Sequence, residues 1–375
     1  MSSVSVIRTS PKTVLEDCGT LMHSAGYERS VHRDKETILK INLSWSLFYP
    51  ACSTPPWQLD GVLSTLRNDG YQDVVCVENQ TVVTHPWKGA YNNKWLPVLK
   101  RHGVEYQPLT DVEWVPFSSK AEMLAMNDLV GEILIPKTFL GSNVIHLPTV
   151  KTHGHTTTTG AIKNAFWGLI PKYRHHAHKM IHEVLMDLLA IQQEIHTGIF
   201  AAMDGAVCGN GAGPRTMEPY IGNILLASED QVAIDAVAAK IMGFDPMSID
   251  YIRIAHDRGL GTGDPDQIEI VGMDRSEFDH LNFGFTTTKS LVIKWDQRLR
   301  KGTVSIPWLH NLLFHSPIFR SFIFASGFYH DRFWYPRTGM KNIRAFSNTG
   351  WGKLFEKYEY GEYPEYTEVK EWNPY

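Results

Sequence analysis

The stretch Glu36–Glu78, ETILKINLSWSLFYPACSTPPWQLDGVLSTLRNDGYQDVVCVE, decides the fold class. Thr37, Ile38, Leu39, Ile41 and Leu43 form a short apolar run, which predicts a buried strand ending at Asn42. A loop with Pro50, Pro55 and Pro56 follows. From Trp57 to Asp69, Leu59, Val62, Leu63 and Leu66 recur at helical spacing, and Gly70 stops the helix. Asp73–Glu78, DVVCVE, then reads as a second strand of β-branched residues. Strand, helix and strand in this order make the crossover that neighbouring parallel strands require.

The alternation continues on the C-terminal side. A helix is expected over Lys94–His102, ended by Gly103, with an extended piece at Val104–Tyr106. Gly131–Ile135 and Asn143–Val150 read as strands, and a threonine-rich turn leads to a helix over Gly160–Ile170. His178–His196 carries Ile181, Leu185, Leu188, Leu189 and Ile191 on one face, and Gly198 stops it. Ile199–Met203 reads as a strand ending at Asp204, followed by a loop with Gly205, Gly209, Gly211, Gly213 and Pro214. Asn223–Ala227 is another strand, after which Ser228 or Asp230 caps an alanine-rich helix running to Met242. The expected architecture is α/β, a mostly parallel sheet flanked by helices. Residues 1–290 make the body, with an N-terminal lobe at about 30–115 and a motif-bearing lobe at about 116–290. A basic aromatic helical extension, 291–354, and an acidic tail, 355–375, complete the chain.

Composition fits a globule. The 375 residues are 43% hydrophobic and 20% charged, too apolar and too lightly charged for a disordered chain. A net charge of -4 provides no basic field for nucleic acid, so no nucleic-acid partner is expected. That sum hides a segregation. Leu291–Leu354 holds ten Lys or Arg against Asp296 and Asp331, a balance of +8, whereas Phe355–Tyr375 holds six Glu against Lys357 and Lys370. Cys18, Cys52, Cys76 and Cys208 are too dispersed for a zinc motif or a disulfide framework, which suits a reducing cytoplasm. The charged residues Arg8, Lys12, Glu16, Asp17 and Glu28 interrupt any secretory leader. No run of 18 apolar residues occurs, so no spanning helix is expected.

Chemistry concentrates at Leu147–Leu169, LPTVKTHGHTTTTGAIKNAFWGL. At period two, Lys151, His153 and His155 fall on one side of a strand, at the end where open α/β sheets bind ligands. Thr159 and Gly160 open a helix whose free N–H groups suit a phosphate or carboxylate, with Lys163 and Asn164 in its first turns. These residues point to a small anionic ligand, with Lys151 and Lys163 holding charge and His153 acting as acid or base. Asp204, before a run in which Gly211 and Gly213 let backbone approach a ligand, would orient that ligand or a metal. His178 and His182 share a helix face at a spacing that can chelate a divalent metal, although no HExxH glutamate accompanies them. Ordinary alternatives stand beside each reading: solvated lysines, capping threonines, turn glycines and surface histidines.

In combination, VKTHGHTTTTGAIKNAFWG (Val150–Gly168), Met203-Asp204-Gly205 with Gly211, Gly213 and Pro214, and LLASEDQVAIDAVAAKIMGFDP (Leu225–Pro246) resemble the family called domain of unknown function 362. The resemblance makes Lys151, His153, Lys163, Asn164, Asp204 and Asp235 motif positions, across roughly Thr37–Gly261. Gln231 stands where a proline often follows the aspartate in relatives. Some family members carry ferredoxin-like iron–sulfur modules, which implies redox chemistry for part of the family. This chain has no Cys-x-x-Cys run, so no intrinsic cluster is expected.

Ser305–Tyr335 holds ten aromatics, including Trp308, Phe322, Phe324, Phe328 and Phe333, and reads as two short helices joined near Ser316 and Pro317. Apolar rings backed by Arg and Lys suit an anionic membrane surface, giving a peripheral membrane protein of the cytoplasm. They equally suit a homodimer interface or packing on the chain's own sheet. The expected function is an enzyme acting on a small carboxylate or phosphate metabolite, redox or metal-assisted. Its alternative is a non-catalytic, membrane-associated binder of an anionic or metal-bound ligand.

Overall fold

Strands β2 (Thr37–Ile41) and β3 (Val74–Glu78), joined by a crossover helix over Pro56–Asn68, lie inside one large sheet in the computed structural model. The structure describes all residues except 1, 82–83, 170–179, 290, 304, 307, 309–312, 314–318 and 364–375. Before β2 come β1 (Ser3–Arg8) and helix α1 (Val14–Ser24), and the crossover helix is α2. After β3 come β4 (Glu105–Pro108), β5 (Trp114–Phe117), β6 (Ile133–Pro136), β7 (Asn143–Leu147), β8 (Thr149–His153) and β9 (Thr157–Thr158). Then follow α3 (Ala161–Leu169), α4 (Ile181–Ile195), β10 (Gly198–Ala212), β11 (Thr216–Ser228), α5 (Gln231–Met242) and β12 (Glu269–Val271). The main sheet runs β12-β1-β11-β10-β7-β2-β3-β4, with β8 against β10 and β9 against β8. Pairing from β10 through β7, β2 and β3 to β4 is parallel, whereas β10-β11 and β11-β1 are antiparallel. Strands from both sequence halves thus share one sheet.

Why these segments pair in parallel is visible in their burial. Every residue of β2, β3 and β7 is buried, as strands covered on both faces must be. Ile38, Val75 and Val144 pack with α3, α4 and α5 on one face. Leu39, Cys76, Ile145 and Phe200 pack with α1 and α2 on the other. Asp230 caps α5 by accepting from the N–H groups of Val232 and Ala233, 2.8 and 3.0 Å away.

Three expectations change. The strand from Ile199 does not end at Asp204; it continues to Ala212 and pairs with β11 as a long hairpin, bulged between Gly205 and Val207. The strand read at Gly131–Ile135 exists as β6, but it pairs antiparallel with β5 in a separate two-stranded sheet. The aromatic block is helical as expected, but α6 (Leu291–Thr303) and α7 (Phe319–Phe328) are followed without a break by a π-helical stretch, Tyr329–Gly339, and by α8 (Met340–Ser347). Pro336, which can donate no backbone hydrogen bond, sits inside the π stretch. The joint expected near Ser316 and Pro317 lies outside the described residues. Part of the extension belongs to the core: Phe346, Trp351 and Phe355 are buried, and the Trp351 indole donates to Asn223 Oδ1 at 2.7 Å. No described helix is long and apolar enough to cross a membrane.

Candidate functional site

Strand order places the site. From β2 the chain adds β3 and β4 on one side, then returns to add β7 and β10 on the other, so β2 and β7 flank a topological switch point. The crevice at their C-terminal ends is a cavity of about 220 Å³. Asn42 and Ser44 enter it after β2, Thr81 and Thr84 after β3, Pro148 and Thr149 after β7, and Lys151 and His153 from β8. Thr159, Gly160, Lys163 and Asn164 close it from the start of α3.

Lys151 is 1% exposed, and burial pulls its pKa down to about 8. Its Nζ donates to Asn42 Oδ1, to Ser44 Oγ at 3.2 Å and to the Cys52 carbonyl at 2.6 Å. An ammonium has three N–H donors. All three are therefore spent on the protein, and Lys151 acts on the cavity as a fixed positive charge. His153 is also buried, and its Nδ1 accepts from the N–H groups of His155 and Thr156 at 3.1 and 3.4 Å. With Nδ1 accepting, the neutral ring carries its proton on Nε2, so His153 is set up to donate a hydrogen bond from Nε2. Asn164 Nδ2 donates to the Lys40 carbonyl at 2.8 Å, and its buried Oδ1 has no hydrogen-bond partner among the described residues. Lys163 is 3% exposed and lines the cavity.

The helix start behaves differently from its sequence reading. The N–H groups of Ala161 and Ile162 donate to the Asp235 carboxylate at 2.6 and 3.2 Å, so an internal anion already occupies the place expected for a ligand. A Cβ on Gly160 would lie 2.0 Å from Asp235 Oδ1; this glycine makes room for the chain's own carboxylate. Burial raises Asp235 to about 7, against the lowering effect of those two N–H groups.

Asp204, Gly211 and Gly213 do not line the cavity. Asp204 is fully enclosed, accepts from the Trp57 indole at 2.9 Å, and is raised to about 7 by burial. A Cβ on Gly213 would meet the Thr152 carbonyl at 1.7 Å, so the glycine signal there reports close backbone approach to β8. The next residues, Pro214 and Arg215, do line the cavity. Arg215 was missed by the sequence reading; the clue was its place directly after the family-like Gly-Pro pair. Half-buried, with its guanidinium pKa lowered by burial, it also sits 5.9 Å from the Trp45 ring centre.

Of the histidine cluster, His146 is a core residue, bonded to Gln192 Oε1 at 2.7 Å and lowered to about 3 by burial. His178 lies outside the described residues. His182 is half-buried and stacks on Tyr251. Among the described residues no group of three or more His, Cys, Asp or Glu gathers to hold a metal. All four cysteines are free and buried.

Fold and site together define an open α/β protein with a cavity at a sheet switch point, lined by cationic side chains. The chain belongs to the family described as domain of unknown function (DUF362), matched over residues 37–240. It is 27% identical over 177 residues to a thylakoid-associated protein of Synechocystis, covering 46% of this chain and 52% of that protein. It thus spans about half the length of that curated relative. A crystal structure of a Thermotoga maritima protein covers 57% of this chain and 55% of its own at TM-score 0.39 and 11% identity, too slight a likeness to carry an argument.

Proposed function

We propose that the cavity binds a small phosphate- or carboxylate-bearing ligand and that the protein is an enzyme in which His153 Nε2–H donates a hydrogen bond to that ligand. One observation carries this reading: Lys151, Lys163 and Arg215 surround a cavity lined, among the described residues, by no Asp or Glu. A cationic lining of this kind favours an anionic ligand over a neutral or cationic one. Lys163 and Arg215 would meet the ligand's oxygens, Lys151 would supply field, and the unpaired Asn164 Oδ1 would accept from a protonated ligand oxygen. Calorimetry with sulfate tests the charge argument. Lys163→Met should weaken binding by about 10- to 100-fold, the worth of a charge-assisted hydrogen bond. Affinity unchanged in that variant would sink the reading.

A second reading, a binder held peripherally at a membrane, is favoured by the exposed aromatics of the extension: Trp295 at 61%, Trp308 at 69% and Phe324 at 75%. The Synechocystis relative is a thylakoid-associated protein, which agrees with it. Deleting the extension would strip Phe346 and Trp351 from the core, so point substitutions are the sounder test. Wild type should float with phosphatidylglycerol vesicles, and a Trp295→Ser, Trp308→Ser, Phe324→Ser variant should not. If wild type stays with the unbound fraction, this second reading is wrong.

A further inference from the structure

We propose that the ligand is an anionic amphiphile, with its charged head in the cavity and its apolar part along the aromatic groove that adjoins it. This deepens, and rests on, the anion-site reading above. At about 220 Å³ the cavity has room for a headgroup but not for a long chain. Thr81, Thr84 and Arg215 line the cavity and also line a second hollow of about 790 Å³, so the two adjoin. Phe324, Gly327 and Phe328 of α7 form one wall of that groove, and Leu47 contributes from the loop after β2.

The wall is fixed in place. The Trp45 indole donates to Asp331 Oδ1 at 2.7 Å, and the Tyr335 hydroxyl donates to the Phe48 carbonyl at 2.9 Å. The same loop thus presents Ser44 to the cavity and holds the aromatic helix beside it. Phe324 and Phe328 stack one turn apart, with centroids 6.4 Å apart, yet remain 75% and 59% exposed. Lys88, Arg215 and Arg332 keep the groove cationic, and its carboxylate, Asp331, is already engaged by Trp45. A purely hydrophilic anion would leave the two rings facing water. An alkyl or prenyl chain attached to the anion would cover them while its phosphate or carboxylate meets Lys163 and Arg215.

Calorimetry on the full chain with inorganic, methyl, butyl and octyl phosphate, each below its micelle concentration, tests this. Affinity should rise about two- to fourfold per methylene, the range from half to full burial of each group, so octyl phosphate should bind at least about a hundredfold tighter than methyl phosphate. A Phe324→Ser, Phe328→Ser double variant should lose that gain while its affinity for inorganic phosphate stays within about twofold, since neither ring touches the cavity. Equal affinity for methyl and octyl phosphate in wild type would overturn the amphiphile and leave the anion site standing. A chain-length gain that survives in the double variant would overturn the groove. If no phosphate binds at all, the anion reading itself fails. Competition then identifies the source: displacement of octyl phosphate by phosphatidic acid vesicles, but not by phosphatidylcholine vesicles, assigns a membrane lipid, and displacement by neither assigns a free amphiphile.

Discussion

Lys40 on β2 and Lys151 on β8 are each 1% exposed, but they are neutralised in different ways. Lys40 lies 2.8 Å from Glu78 Oε1, itself 1% exposed, and also donates to the Ile41 carbonyl. Lys151 meets three neutral oxygens, and no described carboxylate lies within ion-pair distance of it. The first charge is cancelled within the fold. The second keeps its field, and that field falls on a cavity shared with Lys163 and Arg215. Burial of a charge is therefore not what marks a site; burial without a direct ion pair, beside open volume, is.

The largest test of this contrast is on stability. Lys40→Met should cost about 3 to 5 kcal/mol in urea unfolding, because it takes the ion-pair cation from a buried Glu78 carboxylate, and adding Glu78→Leu should recover most of the loss. Lys151→Met should cost less, about 1 to 3 kcal/mol, since it leaves only neutral acceptors unpaired. If the two lysines cost the same, the distinction between them collapses.

The carboxylates offer a mirror image. Asp204 is buried with N–H donors rather than a cation, and its folded pKa of about 7 lies above its unfolded value of roughly 3.9. Between those values the folded state binds more protons than the unfolded one. Its contribution to stability is thus greatest below pH of about 4 and is lost as pH rises toward 7, by about 4 kcal/mol in the limit of full coupling. Asp204→Asn should flatten that part of the urea-midpoint profile against pH. A slope unchanged in the variant would place the titration elsewhere.

The sequence carried the parallel centre of the sheet and half of the site, for local reasons. Apolar runs such as DVVCVE announce strands buried on both faces, and the period-two spacing of Lys151 and His153 survives because β8 is extended through both. The rest depends on contacts far apart in the chain. Gly209 and Gly213 read as loop glycines because nothing local reveals that β8 packs against them. Asp235 stands out in the sequence only as a motif position of the family resemblance, with nothing local to show that it caps a helix start 74 residues away. Arg215 gave no periodic signal, since it reaches the cavity only through the turn between β10 and β11.

The smallest effect separates field from contact. Lys151 has a folded pKa of about 8, and a bound dianion favours its protonated form, so sulfate affinity should be level up to about pH 7 and fall as pH rises through 8. Because Lys151 donates all its protons to the protein, it acts across a gap, and the loss should be on the order of 1 kcal/mol, about fivefold, by pH 9. Sulfate keeps its charge over this range, so the change belongs to the protein. Lys151→Met should remove the step while leaving weaker binding through Lys163 and Arg215. Stability should move in the opposite direction. The unfolded lysine titrates near 10.4, so the unfolded chain binds more protons between pH 8 and about 10.4, and the fold should gain stability there as affinity for the anion declines. A step in sulfate affinity that persists in Lys151→Met would assign the titration to another group and remove Lys151 from the site's electrostatics.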